Sequence, residues 1–281
     1  MPGTGIYKVK EIVTSKLSFR TLIAVIIFLL LVCAAAAMAL ACQDPEPVLL
    51  NGPVISFVEK SIGNFTGAPV DAARSITRMK TWVGDVYQVS TESGEIYNIN
   101  TQSGMVETAL TEKGLDPAVR GMNLSGMQEV ALDYAEKHYP GFAAKKMTLA
   151  ESKIIDHGSM GKEYVFYWNA MSGEAYTLSY VAISIYPDDA MLAYHASDRE
   201  LLINTTPNIT RAEAGQAAER AFGMGPGAET TSRLMVEPDG NGQRLVWLVE
   251  TIEHDERGFA HGGSVMVDAI TGAVGTQNPV L

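Results

Sequence analysis

The chain has 281 residues, of which 47% are hydrophobic and 19% charged, and its formal net charge is −11. This describes a globular protein with room for two or three small cores and excludes a disordered one. Beyond residue 42 the chain carries 17 basic against 31 acidic side chains, so it repels phosphate backbones and no nucleic-acid partner is expected.

The N-terminal segment stands apart. Residues 1–20 hold Lys8, Lys10, Lys16 and Arg20 against a single acid, Glu11. Residues 21–42 carry no charge, and eleven of them are Leu, Ile, Val or Phe. At about 1.5 Å per residue such a helix spans a hydrocarbon core of roughly 30 Å. Basic residues before it, with Asp44 and Glu46 after it, predict a cytoplasmic N-terminus and an extracytoplasmic body, a single-pass cell-membrane arrangement. Three fates are open: a retained anchor, cleavage and release after Ala39-Leu40-Ala41, or lipidation at Cys42. Both cysteines, Cys33 and Cys42, lie in this segment, so the body has no disulfide, no Cys-based metal site and no thiol redox centre. Four sequons, at Asn64, Asn123, Asn204 and Asn208, suit the extracytoplasmic address as candidate N-glycosylation sites.

Residues 43–69 read as a linker, Pro-containing up to Pro53, with a short helix at 54–62. The first unit, 70–110, is expected to open on a helix whose face carries Val70, Ala73, Ile76, Met79 and Val83. A hairpin of Val86–Val89 and Ile96–Ile99 follows. The second unit, 125–202, starts on a capping box, Ser125-Gly126-Met127-Gln128, ahead of the stripe Met127, Val130, Ala131, Tyr134 and Ala135. Pro140-Gly141 ends that helix, and its hairpin pairs 164–168 with 181–186. The third unit, 210–277, repeats the design with the box Thr210-Arg211-Ala212-Glu213 and the stripe Ala214, Ala217, Ala218, Ala221 and Phe222. Its strands are Leu245–Val249 and Ser264–Val267.

A shared register links the three. The last strand residue and the apolar residue after the turn stand seven apart each time: Ile99 and Val106, Ile185 and Leu192, Val267 and Val274. An internal repeat of this period predicts an α+β chain of tandem small units, each a helix packed on an antiparallel sheet. In the third unit the turn reads Asp268-Ala269-Ile270-Thr271-Gly272, with Gly272 free to take positive φ.

These residues resemble a PepSY domain, whose second strand ends in Asp-Ala-x-Thr-Gly-x-Val. Asp268, Ala269, Thr271, Gly272 and Val274 match in place, whereas the first unit has Asn100, Ser103 and Gly104 at the Asp, Thr and Gly positions. The second unit departs further, since Tyr186-Pro187-Asp188-Asp189-Ala190 has no glycine. The resemblance implies an extracytoplasmic, membrane-anchored module that restrains or regulates peptidases, with no catalytic residues to carry over.

Other candidate chemistry is sparse. His254, Asp255, Glu256 and His261 crowd one loop, where a metal site is weighed against an ordinary solvated hairpin loop and the latter is preferred. His138 suits a helix C-terminus through the dipole. Trp168, Trp247, Tyr164, Phe166 and Tyr167 read as core ahead of a peptide-binding face. No Gly-x-Ser-x-Gly, His-Glu-x-x-His or phosphate-cradling loop is present in the sequence. The expectation is therefore a non-catalytic binding module without a cofactor, whose partner is an envelope protein or peptide and which regulates a peptidase. A small-ligand sensory or scaffold ectodomain is the alternative, and an enzyme of unrecognised type the third.

Overall fold

Strands dominate the body because its sequence is rich in β-branched and aromatic residues at alternating positions. In chain order the elements are β1 (Glu46–Pro47), α1 (Gly52–Thr66), β2 (Ala73–Thr81), β3 (Gly84–Thr91), β4 (Ile96–Asn100), β5 (Val106–Thr111), α2 (Leu124–His138), β6 (Thr148–Asp156), β7 (Lys162–Ser172), β8 (Ala175–Tyr186), β9 (Met191–Ser197), α3 (Arg211–Phe222), β10 (Glu229–Asp239), β11 (Gly242–His254), β12 (Ala260–Asp268) and β13 (Val274–Pro279). The computed structural model describes residues 46–47, 52–68, 72–81, 84–111, 117–225, 228–240, 242–254 and 259–279. The expected membrane span at 21–42 and Cys42 lie outside them. No helix among the described residues is long and apolar enough to cross a membrane.

The thirteen strands form one sheet, ordered β1-β2-β3-β4-β5-β9-β8-β10-β11-β12-β13, with β7 and then β6 branching from β8. The expected architecture of tandem units, each a helix on its own antiparallel sheet, is therefore wrong. Two joints fuse what the repeat suggested would be separate. β5 pairs antiparallel with β9 from Thr108↔His195 to Thr111↔Leu192, and β10 lies parallel to β8 at Met235↔Tyr176. Strand β8 makes this possible by its length of 12 residues: its second half pairs with β9 from Tyr180↔Ser197 to Tyr186↔Met191, leaving its first half for β10.

Packing follows the same logic, with two cores among the described residues where three units were expected. The first takes Val58 and Ile62 of α1, Met127, Ala131 and Ala135 of α2, and Val89, Tyr97, Ile99, Phe166, Ile183 and Tyr194 of the sheet into one cluster. Phe65 of α1 fills the gap between the helices, with its ring centroid 4.5 Å from His138 and 5.1 Å from Tyr194. The second core sets Ala214, Ala217 and Ala218 of α3 against Leu234, Trp247, Val249, Val265 and Val267. Small side chains let the helix approach the sheet closely. β8 feeds both, Val181, Ile183 and Ile185 entering the first core and Ala175 and Leu178 the second.

Locally the sequence reading holds in places and fails in others. Thr210 and Glu213 form the reciprocal capping box of α3, which closes on Gly223 at φ 67°. The cap of α2 is Asn123, whose Oδ1 accepts from Gly126 N at 3.0 Å, so Ser125 sits inside the helix and the proposed box does not form. Residues 73–81, read as helix, are strand β2 with only Ile76 fully buried. Its β-branched Ile76, Thr77 and Thr81 favour the extended chain, and pairing along β3 decides the matter.

Candidate functional site

The three seven-residue spacings are cross-strand pairs: Ile99↔Val106, Ile185↔Leu192 and Val267↔Val274. Each closes a tight turn. Asp268 Oδ1 accepts from Thr271 N at 2.7 Å, Thr271 Oγ1 at 2.9 Å and Ile270 N at 3.0 Å, and Thr271 Oγ1 accepts from Ala273 N at 3.3 Å. Burial alone would raise the Asp268 carboxyl, but the bonds from Thr271 and Ile270 outweigh it and hold it low. Asn100 reproduces this turn, accepting from Gln102 N and Ser103 N at 3.0 and 2.9 Å, while Ser103 Oγ accepts from Met105 N at 3.2 Å. Gly104 and Gly272 take φ of 73° and 75°. The second turn, without glycine, puts Ala190 at φ 52° instead. Asp268, Thr271 and Ser103 spend these hydrogen bonds inside their own turns, and Asn100 donates one more, from Nδ2 to Glu107.

The sheet face away from α1 and α2 carries polar groups where the opposite face is apolar. The register sets Gln88, Asn98, Thr108, His195, Ala182, Tyr167 and Glu151 in one row across β3, β4, β5, β9, β8, β7 and β6. His195 is clasped on both sides, Nδ1 3.0 Å from Thr108 Oγ1 and Nε2 3.0 Å from Tyr180 Oη. Burial pushes its imidazole down to about 4, against a backbone hydrogen bond at Glu107. Burial likewise pushes the Tyr167 hydroxyl up to about 12. Next to the row, buried Glu107 receives Asn100 Nδ2 at 3.0 Å and Arg199 Nη2 at 2.5 Å, tying the exit of β9 to the first turn. A neutral histidine held by two hydroxyls is a cross-strand tie rather than a proton carrier.

Two features remain open. One is the outer edge of β6, with which no strand pairs among the described residues. β6 runs nine residues, Thr-Leu-Ala-Glu-Ser-Lys-Ile-Ile-Asp, without proline or glycine, and Ile154 is 45% exposed on it. Its Lys153 and Glu151 neutralise each other at 2.9 Å. At the two ends of the strand order among the described residues, β1 has two residues, one of them Pro47, and pairs with Thr77 and Arg78 of β2, while β13 contains Gly275 and ends on Pro279. The second feature is a depression of about 90 Å³ lined by Thr231, Ser232, Arg233, Leu248 and Glu250.

The remaining sequence-predicted residues fall at scattered places. Asn64, Asn123, Asn204 and Asn208 are all exposed. Asn204 closes a linker turn by accepting from Thr206 N at 2.9 Å. Phe166, Trp168 and Trp247 are core, and Trp247 Nε1 donates to Ile209 O at 2.8 Å. His138 is packed between the rings of Phe65 and Tyr134, and desolvation lowers its affinity for a proton. Of the histidine-rich loop, Asp255 and Glu256 lie outside the described residues. Among the described residues no three His, Cys, Asp or Glu side chains gather as a metal site would require. Sequence reasoning missed β6 altogether. Its adjacent Ile154 and Ile155 break the alternation that would have marked a strand.

No family model matches the chain, and no curated protein does. Among solved structures, 84% of the chain aligns with 99% of the Bacillus megaterium YpeB C-terminal domain at 13% identity and a TM-score of 0.42. A likeness that slight assigns neither fold nor function.

Proposed function

We propose that this chain is an extracytoplasmic, membrane-tethered binding protein that takes an extended segment of another envelope protein onto the edge of β6 and so restrains a peptidase, without catalysis of its own. The observation that carries the reading is the outer side of β6: its inner side pairs with β7, while its outer side stays open along a nine-residue strand that has an exposed isoleucine and neither proline nor glycine. Such an edge recognises a peptide through main-chain hydrogen bonds and through side-chain contacts at alternate positions. The tether and the address rest on the uncharged run at 21–42 and its flanking charges. The PepSY character rests on Asp268, Thr271 and Gly272 with their counterparts Asn100, Ser103 and Gly104.

The test compares the full-length protein with Ile154→Lys in native membranes. The wild type is expected to co-purify with a peptidase and to slow envelope proteolysis, and the variant, with an unchanged circular dichroism spectrum, to lose both effects about tenfold or more. Recovery of no peptidase together with unchanged proteolysis overturns the proposal.

A further inference from the structure

The depression beside β10 and β11 contains two opposite charges, Arg233 and Glu250, that attract through space but form no direct hydrogen bond or ion pair among the described residues. The register places Thr231 opposite Glu250, Arg233 opposite Leu248, and Glu250 opposite Ser264, so these side chains share one face of the sheet. Glu250 is 6% exposed, and its Oε1 has no hydrogen-bond partner. Its other oxygen receives only a long contact, 3.4 Å, from Thr231 Oγ1. A buried carboxylate oxygen left bare costs free energy that a donor would recover. The guanidinium of Arg233 lies 5.5 Å from the Tyr176 ring centroid. It stacks there and makes no hydrogen bond or ion pair among the described residues, which leaves its planar fork open. Ser264, beside Glu250, has a buried hydroxyl that is also unpartnered.

An open guanidinium next to a bare carboxylate oxygen is the complement of a molecule that carries both an anion and a cation. Arg233 offers the two parallel N–H groups that a carboxylate takes, and Glu250 accepts from an ammonium. A lone cation would meet the repulsion of Arg233, and a lone anion that of Glu250. The space of about 90 Å³ holds a body of only a few heavy atoms, and Leu248 supplies one apolar wall for a methyl group. We infer that this depression is a binding site for a small zwitterion, a free amino acid of the size of glycine or alanine, with its carboxylate on Arg233 and its ammonium on Glu250. Glu151 of β6 acts electrostatically on Glu250, so the two readings are told apart by their probes: amino-acid binding reads Arg233 and Glu250, and peptidase co-purification reads Ile154.

The experiment titrates the full-length protein in detergent with glycine, alanine, phenylalanine, methylammonium and acetate, followed by calorimetry and by thermal shift. Glycine or alanine is expected to bind saturably and at least about tenfold more tightly than methylammonium or acetate, with phenylalanine excluded by size. Glu250→Gln and Arg233→Gln should each weaken that binding about tenfold or more. Should Glu250→Gln fail to fold, Arg233→Gln decides alone, since the half-buried Arg233 has no hydrogen bond to lose. Absence of saturable binding by either amino acid up to about 10 mM, equal binding of acetate or methylammonium, or indifference to both substitutions overturns the proposal.

Discussion

Asp268 and Asn100 show at single-residue scale why the turns recur. Either side chain supplies one oxygen that collects the backbone N–H groups two and three residues on. Asp268→Asn is therefore expected to be nearly neutral, whereas Asp268→Ala removes three hydrogen bonds and should cost about 1–2 kcal/mol in chemical denaturation. Gly272→Ala forces a Cβ onto φ 75°, within 3.4 Å of Ile209 Cδ1, and should cost at least about 1 kcal/mol. His195 makes a pH prediction. Its folded value of about 4 lies below the ordinary 6.5, so the unfolded chain takes up the proton first as pH falls. Its stabilisation is complete above pH 6.5 and is lost as the pH falls toward about 4, by about 3 kcal/mol in all. His195→Gln should flatten that part of the stability profile. An unchanged slope would mean that the imidazole is not desolvated.

Individual elements were legible where a local rule decides them. α3 announces itself through Thr210, Glu213 and its alanine stripe, and Thr210→Ala should lower stability by about 1 kcal/mol. The strands on either side of each turn were legible because Ile99, Ile185 and Val267 repeat one register. What escaped was set by pairing. The stretch Ala73–Thr81 has apolar residues at loose helical spacing, yet its backbone bonds go to β3. Each repeat's opening strand, β2, β6 and β10, lies far from its turn signature and buries few side chains, so the pattern alone does not mark it. The candidate site suffers twice from this. The open edge belongs to a strand missed in the sequence, and the Arg233–Glu250 juxtaposition arises only when β10 and β11 are laid in register.

At the scale of the molecule the correction concerns assembly. Repeated sequence predicted tandem units, but β5 meets β9 and β8 reaches both β9 and β10, so one sheet runs through the body and, among the described residues, two cores pack against it. Because β8 feeds both, the cores should melt together. With Trp82→Phe as background, Trp168 reports the first core and Trp247 the second, and the two single-tryptophan proteins are expected to share one urea midpoint. Separated midpoints would mean that the β8 joint does not couple them. Among the described residues β6 offers the sheet an open outer edge, and binding there is the central claim. A photo-crosslinking side chain placed at position 154 of the full-length protein in native membranes should attach to a peptidase, and the same group at exposed position 270 should not. Equal labelling from both positions, or none from 154, would contradict the account.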